Sequence, residues 1–86
     1  GKKRELLTNC KQLVIPCTII IYESPYRLIK TLKQIMEIFG DIDIVICREL
    51  TKVFEEIRKE KPSLLIDHFQ KNKPRGEFTL LWRQEL

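Results

Sequence analysis

Two β-branched runs, Thr18-Ile19-Ile20-Ile21-Tyr22 and Ile42-Asp43-Ile44-Val45-Ile46-Cys47, flank a stretch whose apolar residues Leu28, Leu32, Ile35, Met36 and Phe39 recur at helical spacing. A period that switches from strand to helix and back within so short a stretch restricts the chain to layered α/β architectures. The first run lacks alternation, so helices are expected to cover both of its faces. Between run and stripe, Ser24 offers an N-cap hydroxyl and Pro25 suits the first helical position, while Gly40 supplies the stop.

The same reading extends to both sides. Leu6, Cys10, Leu13 and Val14 keep helical spacing with basic residues opposite, which predicts an amphipathic helix over residues 2–12 that ends before Pro16. Residues 54–58 alternate apolar and polar, as an edge strand does. Ser63 is placed to cap a helix with Leu65, Ile66 and Phe69 on its inner face, ended by Asn72 and Pro74, and residues 77–83 form the last strand. The expected fold class is α/β: an N-terminal helix followed by βαββαβ, with one mixed sheet covered by helices. All 86 residues make a single domain with no internal repeat or linker. A chain of this size buries only about 60–65 % of the surface that its unfolded form exposes.

Composition narrows the function classes. Hydrophobic residues at 43 % beside charged residues at 33 % are ordinary for a soluble globular domain, and no apolar run approaches the ~20 residues of a membrane span. No charged segment, apolar core and small-residue cleavage site follow one another at the start, so neither a secretory signal nor a membrane partner is expected. Cys10, Cys17 and Cys47 fit no C-x-x-C spacing and have only His68 as a nitrogen partner. That pattern suits reduced thiols in the cytoplasm and no metal site. The net charge of +4 is local: Lys2, Lys3, Arg4 and Lys11 stand against Glu5, then Lys71, Lys73 and Arg75 against Glu77. Such an excess suits an acidic partner such as RNA but falls short of the dense Lys/Arg stripe of a dedicated nucleic-acid module, and charge alone favours a solvated basic surface.

Three polar strings sit where apolar runs begin or end: Glu23-Ser24-Pro25-Tyr26-Arg27, Arg48-Glu49-Leu50-Thr51-Lys52 and Pro74-Arg75-Gly76-Glu77. Ligands of open α/β sheets bind at strand ends. If the first two strands run the same way, two of the strings share one rim. Their carboxylates and cations form either a set of acid, base and anion-binding groups or a lattice of ion pairs that orders the loops.

Extended by their neighbours, Tyr22-Glu23-Ser24-Pro25-Tyr26-Arg27-Leu28, Cys47-Arg48-Glu49-Leu50-Thr51-Lys52-Val53-Phe54-Glu55 and Pro74-Arg75-Gly76-Glu77-Phe78 resemble the C-terminal half of the ribosomal RNA small-subunit methyltransferase I family, which has the tetrapyrrole methylase fold. The resemblance covers almost the whole chain, in order and spacing. One departure is Lys59-Glu60-Lys61-Pro62, where relatives often turn with a Gly.

What the resemblance implies is transfer of a methyl group from S-adenosylmethionine to the ribose 2′-oxygen of a cytidine in small-subunit rRNA. The cofactor would lie in a cleft between two α/β domains, of which this chain is the second. Alone, the chain is expected to be inactive. Carried over, Tyr22, Glu23, Ser24, Cys47, Arg48, Glu49, Leu50, Arg75, Gly76 and Glu77 would line the cofactor side of the cleft. Their backbone groups would hold the adenine and ribose edges, with Gly76 admitting close approach. Arg27 and Lys52 are the candidates for rRNA phosphate contacts, and Glu49 or Lys52 for removal of the 2′-OH proton. The implied partners are small-subunit rRNA or the ribosomal subunit, the chain's own N-terminal domain, and a second copy in a homodimer. Alternative readings are a porphyrin or corrin methylase-type domain, a stand-alone RNA-binding module and a dimerisation domain.

Overall fold

The computed structural model describes residues 2–13, 15–51 and 54–85. Its elements follow the order α1 (Lys2–Lys11), β1 (Cys17–Glu23), α2 (Leu28–Phe39), β2 (Ile44–Thr51), β3 (Phe54–Glu60), α3 (Pro62–Lys71) and β4 (Glu77–Gln84). A helix followed by βαββαβ is therefore what the chain forms.

The sheet differs from expectation in one respect. Its order is β1-β4-β2-β3, and every described pairing is antiparallel, so the sheet is not mixed. The helix between β1 and β2 does bring them to the same direction, but β4 fills the slot between them and runs against both. Glu23 and Arg48 each face Phe78 in register, and Glu49 faces Glu77.

Strand periodicity sends alternate side chains to opposite faces. One face carries Ile19, Ile44, Ile46, Phe78, Leu80 and Trp82, all buried against Leu28, Leu32 and Ile35 of α2 and Leu65, Ile66 and Phe69 of α3. Edge-to-face aromatic pairs pin both helices to this face, Phe39 on Trp82 at 5.1 Å between centroids and Phe69 on Phe78 at 5.4 Å. The other face is open. Ile20, Tyr22 and Ile57 stand 55 %, 78 % and 69 % exposed there, so β1 is covered on one side only, contrary to its unalternating sequence.

Local signals act with some shifts. Gly40 takes φ 89° and its N–H donates to the Met36 carbonyl, closing α2 as a glycine stop does. At the other end, residues 25–27 form a turn before the helix, with the Arg27 N–H donating to the Ser24 carbonyl at 3.2 Å; Pro25 is thus not the first helical residue. The α3 cap also comes from elsewhere. Asp41 accepts from the Ser63 N–H at 2.9 Å and from its hydroxyl at 2.5 Å, so Ser63 is the capped residue and not the cap. In α1 the buried apolar residue is Leu7, while Leu6 and Leu13 are exposed. The reason is that Lys3, Leu7 and Cys10 make the stripe that faces the rest of the domain. It shares Cys10 with the expected one but takes Leu7 in place of Leu6, while Val14 lies outside the described residues.

Candidate functional site

Because β1 and β2 point the same way, their C-terminal ends meet the start of β4 on one rim of the sheet. All three polar strings gather there. Arg48–Thr51 of the second string lie within β2, which has an irregularity in register between Glu49 and Thr51. Lys52, a candidate in both substrate binding and proton removal, lies outside the described residues.

On the open face the rim borders a concavity of about 550 Å³ lined by Tyr22, Cys47, Glu49, Ile57, Glu77 and Thr79, with Arg48, Glu56 and Phe78 completing it. Its floor is one cross-strand row, Tyr22 opposite Thr79, Thr79 opposite Cys47, and Cys47 opposite Ile57. Its rim is the next row, where Glu49 faces Glu77 on one side and Glu55 on the other. Like charges directly opposite one another weaken a sheet. The exposed Glu49–Glu77 pair is therefore a costly arrangement for structure alone, and one suited to a positively charged ligand.

A second groove, about 360 Å³, joins the first and third strings. Pro25 and Tyr26 form one wall and Lys73, Pro74, Arg75 and Gly76 the other. Tyr26 is 92 % exposed, and Gly76 adopts φ 81°, the left-handed conformation that favours glycine.

Not every candidate side chain is turned toward the concavity. Glu23 is 5 % exposed on the helix-covered side, where its carboxylate accepts from Lys3 Nζ, from the Thr31 hydroxyl at 2.6 Å and from the Ser24 N–H at 3.0 Å. Burial pushes its pKa up, but these hydrogen bonds and the Lys3 charge outweigh that and hold it below the ordinary carboxylate value. Its side chain is therefore spent inside the domain and does not meet the concavity. Arg48 is likewise engaged, pairing with Glu56 across β2 and β3. Ser24 is half-buried, whereas Glu49, Arg75 and Glu77 are exposed.

Arg27 stands apart from the concavity. It lines a separate cavity of about 300 Å³ with Lys2, Lys3, Lys30, Thr31 and Gln34, between the start of α1 and the first turns of α2. The sequence reading marked the basic excess of Lys2 and Lys3 but not their meeting with Arg27 and Lys30. The available signal was the i, i+3 spacing of Arg27 and Lys30 on a helix opposite a basic segment. Among the described residues, no group of three or more His, Cys, Asp or Glu side chains is arranged to hold a metal ion. Nor is any helix among them long and apolar enough to cross a membrane. All three cysteines are free.

The fold and rim define an α/β domain with polar strings gathered on one edge and an uncovered apolar face beside them. No protein-family model matches the chain. It is 48 % identical over 63 residues to ribosomal RNA small subunit methyltransferase I of Thermotoga maritima, a match that covers 73 % of the chain and 28 % of that protein. To the protein of the same name from Bacillus subtilis it is 45 % identical over 80 residues, covering 93 % of the chain and 26 % of the relative. The Erythrobacter litoralis protein of that name is 38 % identical over 79 residues, 92 % of the chain and 27 % of the relative. The chain belongs to the ribosomal RNA small subunit methyltransferase I family, and it spans about a quarter of the length of the curated relatives that it matches.

Proposed function

We propose that this chain is the C-terminal domain of a two-domain, S-adenosylmethionine-dependent methyltransferase that acts in the cytoplasm on the ribose 2′-oxygen of a cytidine in small-subunit rRNA. One observation carries the reading: the three strings that make the family resemblance meet on a single rim beside a concavity of about 550 Å³. Small-ligand pockets need enclosure, and this one is open on the side where the sheet is bare. The N-terminal domain supplies the missing wall. Its docking would cover Ile20, Tyr22 and Ile57, which otherwise leave an apolar face in water.

Within that cleft, the chain's own groups have definable tasks. Cys47, Arg48 and Glu49 are paired on both sides of β2, and the Ser24 N–H and C=O are already bonded. Backbone contacts to the cofactor therefore fall to the Arg75-Gly76 turn, outside the ladders, while the Tyr22 ring and Ile57 side chain offer apolar cover. The Glu49–Glu77 pair suits the positive sulfonium of S-adenosylmethionine. Reaction requires the methyl carbon to be aligned with the attacking 2′-oxygen and a group to accept the hydroxyl proton as the bond forms. Glu49, exposed on the rim, is the acceptor we favour; Lys52 remains the other candidate.

The open face also fits a self-association surface, and this is the second reading that an observation favours. As a stand-alone RNA-binding sheet the chain has less support. Its two central strands present Val45, Cys47, Thr79 and Leu81 on the open face, without the aromatic platforms on which such sheets stack bases.

The test is methyl transfer by the full-length protein to small-subunit rRNA with labelled S-adenosylmethionine. A modified cytidine resistant to alkaline cleavage at its 3′ side is the expected product, since 2′-O-methylation blocks attack by that oxygen. Label on a base, or on a tetrapyrrole and not on RNA, would overturn the assignment. Light scattering of the full-length protein at several concentrations separates domain docking from dimerisation through the bare face.

A further inference from the structure

The cavity between α1 and α2 has a chemistry that the cofactor cleft does not use. Arg27, at the N-cap of α2, and Lys30, Thr31 and Gln34 follow i, i+3, i+4, i+7 spacing and so share one side, which faces Lys2 and Lys3 on the first turn of α1. None of the six lining residues is acidic. Glu23, buried below, is matched by Lys3, and among the described residues Lys2, Arg27 and Lys30 make no ion pair.

Two ion pairs fix this geometry. Lys3 reaches Glu23 at the end of β1, and Arg4 grips Glu37 of α2 with both terminal nitrogens, one of them 2.7 Å from Oε2. Both tie the first turn of α1 to the rest of the domain. The cations are thus gathered, not scattered along flexible tails, although holding like charges together opposes folding. An anion that enters the cavity relieves that repulsion. The Gln34 amide adds a donor suited to phosphate oxygens.

We propose that this cavity is a docking site for the phosphate backbone of the RNA substrate, contacted by Lys2, Arg27 and Lys30. The inference rests on the function proposed above and adds to it a place on the protein. A phosphodiester strand is favoured over a small free anion because Arg27 ends the turn that leaves the rim at Ser24, so one strand can pass from cavity to cleft. Phosphate contacts here would set the register of the RNA on the enzyme without reading its sequence.

The test uses the full-length protein and a small-subunit rRNA transcript, with dissociation constants measured between about 50 and 200 mM salt. Variants are Lys2→Gln, Arg27→Gln, Lys30→Gln and the triple, with Lys33→Gln, outside the cavity on α2, as control. Each single change should reduce the slope of log affinity against log salt by about 0.7–0.9, and the triple by roughly two to three, with S-adenosylmethionine affinity unchanged. The control should keep the wild-type slope. An unchanged slope in the triple variant, with wild-type protein still methylating the rRNA, overturns the site and leaves the functional reading standing. That outcome would also be expected if the cavity served an acidic protein surface. Wild-type protein that neither binds nor methylates the transcript removes both. Should the triple variant fold poorly, the single variants and Arg27→Lys decide: at a phosphate contact the lysine keeps the wild-type slope while Arg27→Gln reduces it, and equal slopes in both overturn the site.

Discussion

Glu23 ends β1 as a buried carboxylate that three donors share, and what it holds together is α1, β1 and α2. Replacing it by Ala would leave the Thr31 hydroxyl, itself buried, and the half-buried Lys3 ammonium without an acceptor. We expect a loss of about 1–3 kcal/mol by denaturant unfolding at neutral pH. The folded pKa is lowered, so the contribution is complete above the unfolded carboxylate value of about 4.3 and fades as pH falls through the folded one. Wild type and variant should therefore converge in stability at low pH; an equal gap at all pH values would contradict this. Gly76 is a different case, because its role was legible: a glycine in the Arg75-Gly76-Glu77 turn asks for freedom that only glycine has, and φ is 81°. Gly76→Val should cost roughly 1–3 kcal/mol in the full-length protein and impair methylation. Wild-type melting and activity would show that the turn tolerates a side chain. The partners of Glu23 were not legible, since Lys3 lies 20 positions away and only the folded chain brings them together.

Among the elements, helices and strands follow the periods of their apolar residues, but their ends obey neighbours in space. Ser63 has the composition of a cap, yet α3 begins at Pro62 with Lys61 at its N-cap, and the capping carboxylate arrives from Asp41, just beyond α2. Both Ser63 bonds hold the Asp41 pKa down. Asp41→Ala should speed amide exchange at Ser63 and lower the melting temperature, while Asp41→Asn, which keeps an acceptor, should do less. Equal exchange in all three proteins would mean that α3 does not depend on this cap. For α2 the Ser24-Pro25 signal marks a real boundary, but the chain spends three residues on a turn first, which places Arg27 beside Lys30 on one face.

Taken whole, the molecule is a sheet with one dressed face and one bare face. The continuous apolar run of β1 suggested cover on both sides because a sequence does not say which of two apolar faces the same chain will fill. Ile19 meets the helices, while Ile20 and Tyr22 meet none. The strand order was equally hidden, as nothing local states that β4 slips between β1 and β2. The gathering of the strings on one rim was conditional on strand direction, and that condition is met. From the open cleft we expect the isolated 86-residue chain to bind S-adenosylmethionine too weakly for calorimetry to detect, whereas the full-length protein binds it. A micromolar dissociation constant for the chain alone would sink the two-domain reading.

The position of β4 has a kinetic consequence. It is the last strand in sequence and lies between β1 and β2, so its two neighbours cannot be joined until it arrives. Of the three pairings only β2 with β3 links strands adjacent in sequence; the β1 to β4 ladder matches residues as distant as Cys17 and Gln84. Loop-closure entropy makes such distant pairings late and slow. The β2–β3 hairpin can therefore form early with its inner edge unpaired, and insertion of β4 is the step that completes the sheet and joins Trp82 to Phe39. Substitutions in β4 should slow folding most if insertion limits the rate, and a chain waiting at that stage would present strand edges open to other copies.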